Sequence, residues 1–160
     1  MHCSEIANGI TMRALIQRVS RASVLIEGKV HSKIESGLLV FIGIKNGDTT
    51  GDALYLAEKC CSLRIFEDPD KKMNLSVRDI GGSILVVSQF TLYGDTRKGN
   101  RPSFTDAASP EIAEPLYNAF VSHLRLQLGN DHVATGEFRA MMDIELVNDG
   151  PVTLSVESKV

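Results

Sequence analysis

The sequence predicts an α+β fold, mostly strand, with two main helices packed on one side. Three observations carry this. Short runs rich in β-branched and apolar residues recur along the chain, bounded by glycine, Asn-Gly or Asp-Gly. Two segments space their apolar residues at the helical period instead. The 160 residues, 43% hydrophobic and 23% charged, suit one compact domain whose core needs neither disulfides nor metal.

Met1 to Thr11 has no clear period and ends just before a second methionine, Met12. Residues 1–11 therefore read as an N-terminal extension without order of its own, and 12–160 as a single domain. Strands are expected at Leu15 to Val19 and Ser23 to Ile26, with Glu27-Gly28-Lys29 as a tight turn. Leu38 to Ile44 reads as a buried strand between Gly37 and Asn46-Gly47. A helix fits Asp52 to Leu63. Thr49 or Thr50 offers a cap, and Ala53, Leu56, Ala57, Cys60 and Leu63 form one stripe, which makes Cys60 core filler rather than a reactive thiol. Ile84 to Val87 is another strand, entered through Gly81-Gly82, and a polar loop follows from Tyr93 to Ser103. The second helix is the clearest element. Ser109 caps it, Pro110 suits its first turn, Ile112, Leu116, Phe120, His123 and Leu124 share a face, and Gly129 ends it. Two closing strands, Asp143 to Val147 and Val152 to Val156, flank Asn148-Asp149-Gly150-Pro151.

Several function classes drop out. No apolar run approaches the ~20 residues of a membrane helix, and the first eleven residues have neither the basic segment nor the apolar stretch of a secretory signal. Three cysteines, two of them adjacent, make no disulfide framework and fit a reducing cytoplasm. The net charge of −3 argues against nonspecific coating of nucleic acid, though not against a local basic patch on RNA. His2, His31, His123 and His132 do not pair with Cys, Asp or Glu at ligand spacing, so no metal is expected, and His123 reads as a packing residue. Neither a Gly-x-Ser-x-Gly elbow nor a phosphate-binding glycine loop is present.

Three segments remain as candidates, each with a plain alternative. Ser88-Gln89-Phe90-Thr91 ends an apolar strand in polar groups that can hydrogen-bond a ligand, with Phe90 able to stack on a base; the alternative is a strand leaving the core. Asn148-Asp149-Gly150-Pro151 reads as a hairpin turn or as the site of a cis X-Pro bond. Arg97-Lys98-Gly99-Asn100-Arg101 is solvated surface or a phosphate contact through Arg97, Lys98 and Arg101.

Together these segments closely resemble the D-aminoacyl-tRNA deacylase (D-tyrosyl-tRNA(Tyr) deacylase) family. The likeness runs in order through Met12-Arg13-Ala14-Leu15-Ile16-Gln17-Arg18-Val19, Leu63-Arg64-Ile65-Phe66, Lys72-Met73-Asn74-Leu75, Val86-Val87-Ser88-Gln89-Phe90-Thr91-Leu92, Arg101-Pro102-Ser103-Phe104 and Leu146-Val147-Asn148-Asp149-Gly150-Pro151-Val152-Thr153. Any one of these motifs is weak, whereas six in sequence are specific.

The resemblance implies a mostly antiparallel, barrel-like sheet and a cytoplasmic homodimer with cross-subunit active sites and no cofactor. Its substrate would be aminoacyl-tRNA rather than DNA or a membrane. Hydrolysis would release D-amino acids from tRNA, and glycine mischarged on alanine tRNA. Ser88, Gln89, Phe90 and Thr91 would line the pocket, Gly150 and a cis Pro151 from the other subunit would cap it, and Arg18 would steady the pair. A cis Gly-Pro bond turns two carbonyls to one side, where they can accept from the substrate ammonium and leave room for only one side-chain direction. Thr91 as nucleophile would need a base that its motif lacks, so assistance by the tRNA 2′-hydroxyl fits better. One departure is Arg139, in Gly136-Glu137-Phe138-Arg139-Ala140, where the family usually has a small residue; a cation there narrows the pocket or reaches RNA. A relative specific for L-alanine, with a trans Gly-Pro and an altered Ser-Gln-Phe-Thr segment, and a noncatalytic RNA-binding dimer are the alternatives.

Overall fold

The computed structural model describes residues 11–158. Of the segment read as an extension, only Thr11 lies among them, and its hydroxyl donates to Asp52 Oδ1 at 3.2 Å. β1 (Arg13–Ile26) is one 14-residue strand where two shorter ones were expected. Ser20 and Arg21, between the two expected strands, mark a change of partner. β3 (Gly37–Gly43) pairs with Arg13 to Val19, and β2 (Lys29–Ile34) with Ala22 to Ile26. Glu27 and Gly28 join β1 to β2 with φ of 52° and 78°, the pair of positive values that a two-residue hairpin requires.

α1 (Thr50–Ser62) begins at a reciprocal cap: Asp52 N–H donates to Thr49 Oγ1 at 3.4 Å, and Thr49 N–H to Asp52 Oδ2 at 2.8 Å. Ala53, Leu56, Ala57 and Cys60 are fully buried, as the stripe required. Burial pushes the Cys61 thiol up to about 11 and Cys60 higher still, so neither ionises at neutral pH. A small hairpin, β4 (Phe66–Glu67) and β5 (Met73–Leu75), precedes β6 (Ser83–Ser88). α2 (Pro110–Leu128) buries Ala113, Leu116, Tyr117, Phe120, Val121 and Leu124. Ile112, expected on that face, is 50% exposed, because Ala113 takes the inward position at the helix start. His123 sits at the margin of the face, with Nε2 3.3 Å from Glu58 Oε1. Ser109 holds the cap position without a side-chain capping bond.

β7 (Val133–Thr135) and β8 (Asp143–Glu157) complete the sheet, which runs β2-β1-β3-β6-β7 with β8 on the other edge of β1. It is mixed: β3–β6 and β6–β7 are parallel and the pairings of β1 are antiparallel. Alternation along the strands builds a core on each face. Met12, Ala14, Ile16, Leu38, Val40, Ile42, Ile84 and Val86 meet both helices. Val19, Val24, Leu39, Leu85 and Val87 form the second core, which Ile144 and Leu146 of β8 close into a barrel-like wall. No helix among the described residues is long and apolar enough to cross a membrane.

β8 corrects the hairpin expectation. The two closing strands are one, antiparallel to β1 on both sides of Gly150-Pro151. Thr153 stands opposite Gln17 and Asn148 opposite Val19, so Asp149 to Val152 bulge out against the single residue Arg18.

Candidate active site

Ser88 ends β6 opposite Ile42 of β3, and the next amide, Gln89 N–H, donates to Ile42 O at 2.9 Å. The chain then tightens into a 3₁₀ turn, Phe90–Tyr93. Its far end is braced from below. Arg13 Nη1 donates to Leu92 O at 2.9 Å, and its guanidinium lies 5.1 Å from the Tyr93 ring centroid. The Tyr93 hydroxyl donates to Gly43 O at 3.2 Å, and burial pushes that phenol up. With its lower side fixed, the turn presents Phe90 outward, 56% exposed and edge-on to Phe104 at 5.2 Å between centroids.

A cleft of about 610 Å³ opens beside this turn, within the range of small-ligand sites. Ser88, Gln89, Phe90, Phe104, Phe138 and Met142 help to line it, with Pro110 and Ala113 of α2 and the preceding Ala108 on another side. Tyr117 supports the back wall, with its hydroxyl donating to Val86 O at 3.3 Å and its ring 5.5 Å from Phe138; burial holds the phenol up at about 12. Thr91 is exposed and is not among the lining residues. The Gln89 side-chain amide donates to its hydroxyl, and no imidazole, amine or carboxylate hydrogen-bonds it among the described residues. No group of side chains suited to holding a metal occurs among those residues either.

Arg18 is 6% exposed and reaches the bulge from beneath. Its Nε donates to Asp149 O at 3.0 Å, and its Nη1 to Ile65 O at 2.7 Å. The Gly150–Pro151 bond is cis. Gly150 has φ of 140°, and a Cβ there would lie 2.8 Å from Val152 Cγ2 and 3.1 Å from Arg18 Nη2, so glycine is required on both counts. Asn148, to which the sequence alone gave no task, clasps the base of the bulge. Its Oδ1 accepts from Val152 N–H at 2.8 Å, and its Nδ2 donates to Val152 O and Thr153 Oγ1, each at 3.2 Å. The signal was present, since Asn side chains commonly close such loops on their own backbone.

The two halves do not meet within one chain. Ser88 is level with Ala14 through Ile42, whereas the bulge stands opposite Arg18 and on the far side of β1. That is roughly 13 Å along the strands and 14 Å across them. In the basic loop, Arg97 is tied to Asp95 by two bonds of 2.9 and 2.7 Å, which hold the Asp95 carboxyl down at about 2. Lys98 and Arg101 are exposed.

Residues 15–157 match the family model for D-Tyr-tRNA(Tyr) deacylase. The chain belongs to that family. It is 60% identical to a D-aminoacyl-tRNA deacylase of Halalkalibacterium halodurans and 57% identical to one of Koribacter versatilis, over 92% of this chain and 100% and 98% of theirs. A solved structure named c-Myc DNA Unwinding Element Binding Protein superposes with a TM-score of 0.88 at 41% identity, covering 92% of this chain and 99% of that one. A probable eukaryotic D-amino acid tRNA deacylase, 19% identical with a TM-score of 0.80 over 92% of this chain and 100% of that one, shares the fold. The enzyme class follows: a D-aminoacyl-tRNA deacylase, a hydrolase acting on a carboxylic ester. Phe104 and Phe138 line the same cleft as Ser88, Gln89 and Phe90, and Arg13 braces the turn beside it. Arg13 and Phe104 stand in the motifs of the sequence, but nothing local to either marks this placement.

Proposed function

We propose that the cleft beside Ser88-Gln89-Phe90 takes the aminoacylated terminal nucleoside of tRNA, and that Gly150-Pro151 of a second copy closes it. The observation that carries this is the bulge itself, held at its base by Arg18 and Asn148, exposed at its tip, and too far from its own cleft to serve it. Twofold symmetry would make the insertion reciprocal and yield two equivalent sites. Phe90 and Phe104 suit stacking on the terminal base. The leading N–H groups of a 3₁₀ turn lack partners within it, so those of Phe90 and Thr91 serve as donors to the oxyanion that forms during ester hydrolysis. The substrate's 2′-hydroxyl assists water, in keeping with a Thr91 that has no base beside it.

The Gly150 and Pro151 carbonyls accept from the substrate ammonium, leaving only the D side-chain direction open. Glycine, with no side chain to reject, is also removed when it is mischarged on alanine tRNA. Exposed Lys98 and Arg101 meet the phosphates of the acceptor end, with Arg97 partly neutralised by Asp95. Such an enzyme would work in the cytoplasm, where charged tRNA is used.

The test is release of free amino acid from D-tyrosyl-tRNA against L-tyrosyl-tRNA. At least about 100-fold preference for the D form is expected, and comparable rates would end the stereochemical reading. No release from either would leave a noncatalytic RNA-binding dimer. Mixing Gln89→Trp with a variant lacking Gly150-Pro151, each inactive alone, should restore activity in heterodimers; failure after verified subunit exchange would show that the site is not shared.

A further inference from the structure

The described lining of the cleft carries a single charge. Among the described residues that line it, Arg139 is the only one with an ionised side chain; the others are apolar, aromatic, or neutral like Ser88 and Gln89. Arg139 sits at φ 71°, a left-handed conformation that non-glycine residues adopt rarely. Its backbone is fixed from both sides. Phe138 packs on Tyr117, and Ala140 N–H closes the turn onto Glu137 O at 3.1 Å. The exposed guanidinium has neither a hydrogen bond nor an ion pair with any described residue, although its charge is felt by Glu111 in the first turn of α2. A cation without a hydrogen-bonded or ion-paired partner among the described residues, held in an unfavourable backbone conformation beside an otherwise uncharged cleft, points to an anionic ligand.

We propose that Arg139 binds the phosphodiester of the RNA strand where it leaves the cleft. This rests on the reading of the cleft as the site of the aminoacylated terminal nucleoside. Base and ester are uncharged and suit the aromatic lining, whereas the 5′-phosphodiester cannot be buried unpaired among apolar groups. It leaves at the mouth, where the planar fork of Arg139 offers paired donors to two phosphate oxygens.

The experiment compares D-tyrosyl-tRNA with D-tyrosyl-adenosine, which has no phosphodiester, in the wild type, Arg139→Gly and Arg139→Lys. On tRNA, Arg139→Gly should raise KM roughly fivefold to tenfold at about 50 mM salt and flatten the slope of log KM against log salt by about 0.7. Its Tm should equal or exceed that of the wild type, since glycine is at ease at this φ. Arg139→Lys should recover part of the loss. The KM increase on D-tyrosyl-adenosine should be smaller than on tRNA by at least about fivefold. Equal KM increases on the two substrates, or an unchanged salt slope, would overturn the assignment. A gain confined to bulky D side chains would instead make Arg139 a wall of the pocket. A wild-type enzyme inactive on D-tyrosyl-tRNA would remove the functional reading beneath it, which is a separate failure.

Discussion

The two halves of the candidate site are built in opposite ways. The turn from Ser88 to Tyr93 is locked into its own chain by a strand partner, a buried phenol and the Arg13 guanidinium. The bulge from Asp149 to Val152 has left its ladder and is held only at the base, by Arg18 and Asn148, while Asp149, Gly150 and Pro151 stay exposed. The lesson concerns redundancy. Several independent contacts share the load at the turn, so losing one leaves the others in place. At the bulge two side chains, Arg18 and Asn148, carry almost everything, and the exposed tip has no such second set of contacts.

Substitutions at three positions probe that asymmetry. Arg18→Ala should act most strongly. It strands the Ile65 and Asp149 carbonyls and frees the bulge, costing about 2–4 kcal/mol of stability and on the order of 100-fold in kcat/KM on D-tyrosyl-tRNA. Urea unfolding and single-turnover deacylation measure both, and a variant of wild-type rate would break the comparison. Asn148→Ala should come next, at about 1 kcal/mol and roughly tenfold in kcat/KM, with discrimination against L-tyrosyl-tRNA falling as well. Asn148→Asp, which keeps the acceptor for Val152 N–H but loses the donor, should fall between; an Ala variant with unchanged D/L ratio would mean that the clasp does not position the pair. Thr91→Ala on the braced turn should matter least, retaining more than about a third of the rate, whereas a true nucleophile would lose several orders of magnitude. A covalent aminoacyl adduct on Thr91 would reverse that ranking.

Much of this was legible in the residues. The helix stripe at Ala53, Leu56, Ala57 and Cys60 and the Glu27-Gly28 hairpin are local signals, and the fold honours both. The errors were non-local. Ser20-Arg21 looks like the end of a strand because polarity is read locally, yet the strand continues because β8 supplies a partner along its length. Asp149-Gly150-Pro151 has the composition of a turn, and nothing within four residues reveals that both flanks pair with the same neighbour. β2, β4, β5 and β7 are short or polar, with too few alternating positions to stand above the background. The turn beside the cleft was recognisable as a motif, but its brace, Arg13, lies 79 residues from Leu92 in sequence and acts only through folding.

β1 holds both halves of the site from a single rod, with Arg13 under the turn and Arg18 under the bulge. The interval between them is therefore a gauge length. Side-chain substitutions can occur within it, but one inserted or deleted residue would rotate one arginine to the opposite face and shift it by about 3.3 Å. This stretch of the gene can drift in spelling and not in length. A frame-preserving insertion there would disable the enzyme while leaving every residue named above intact.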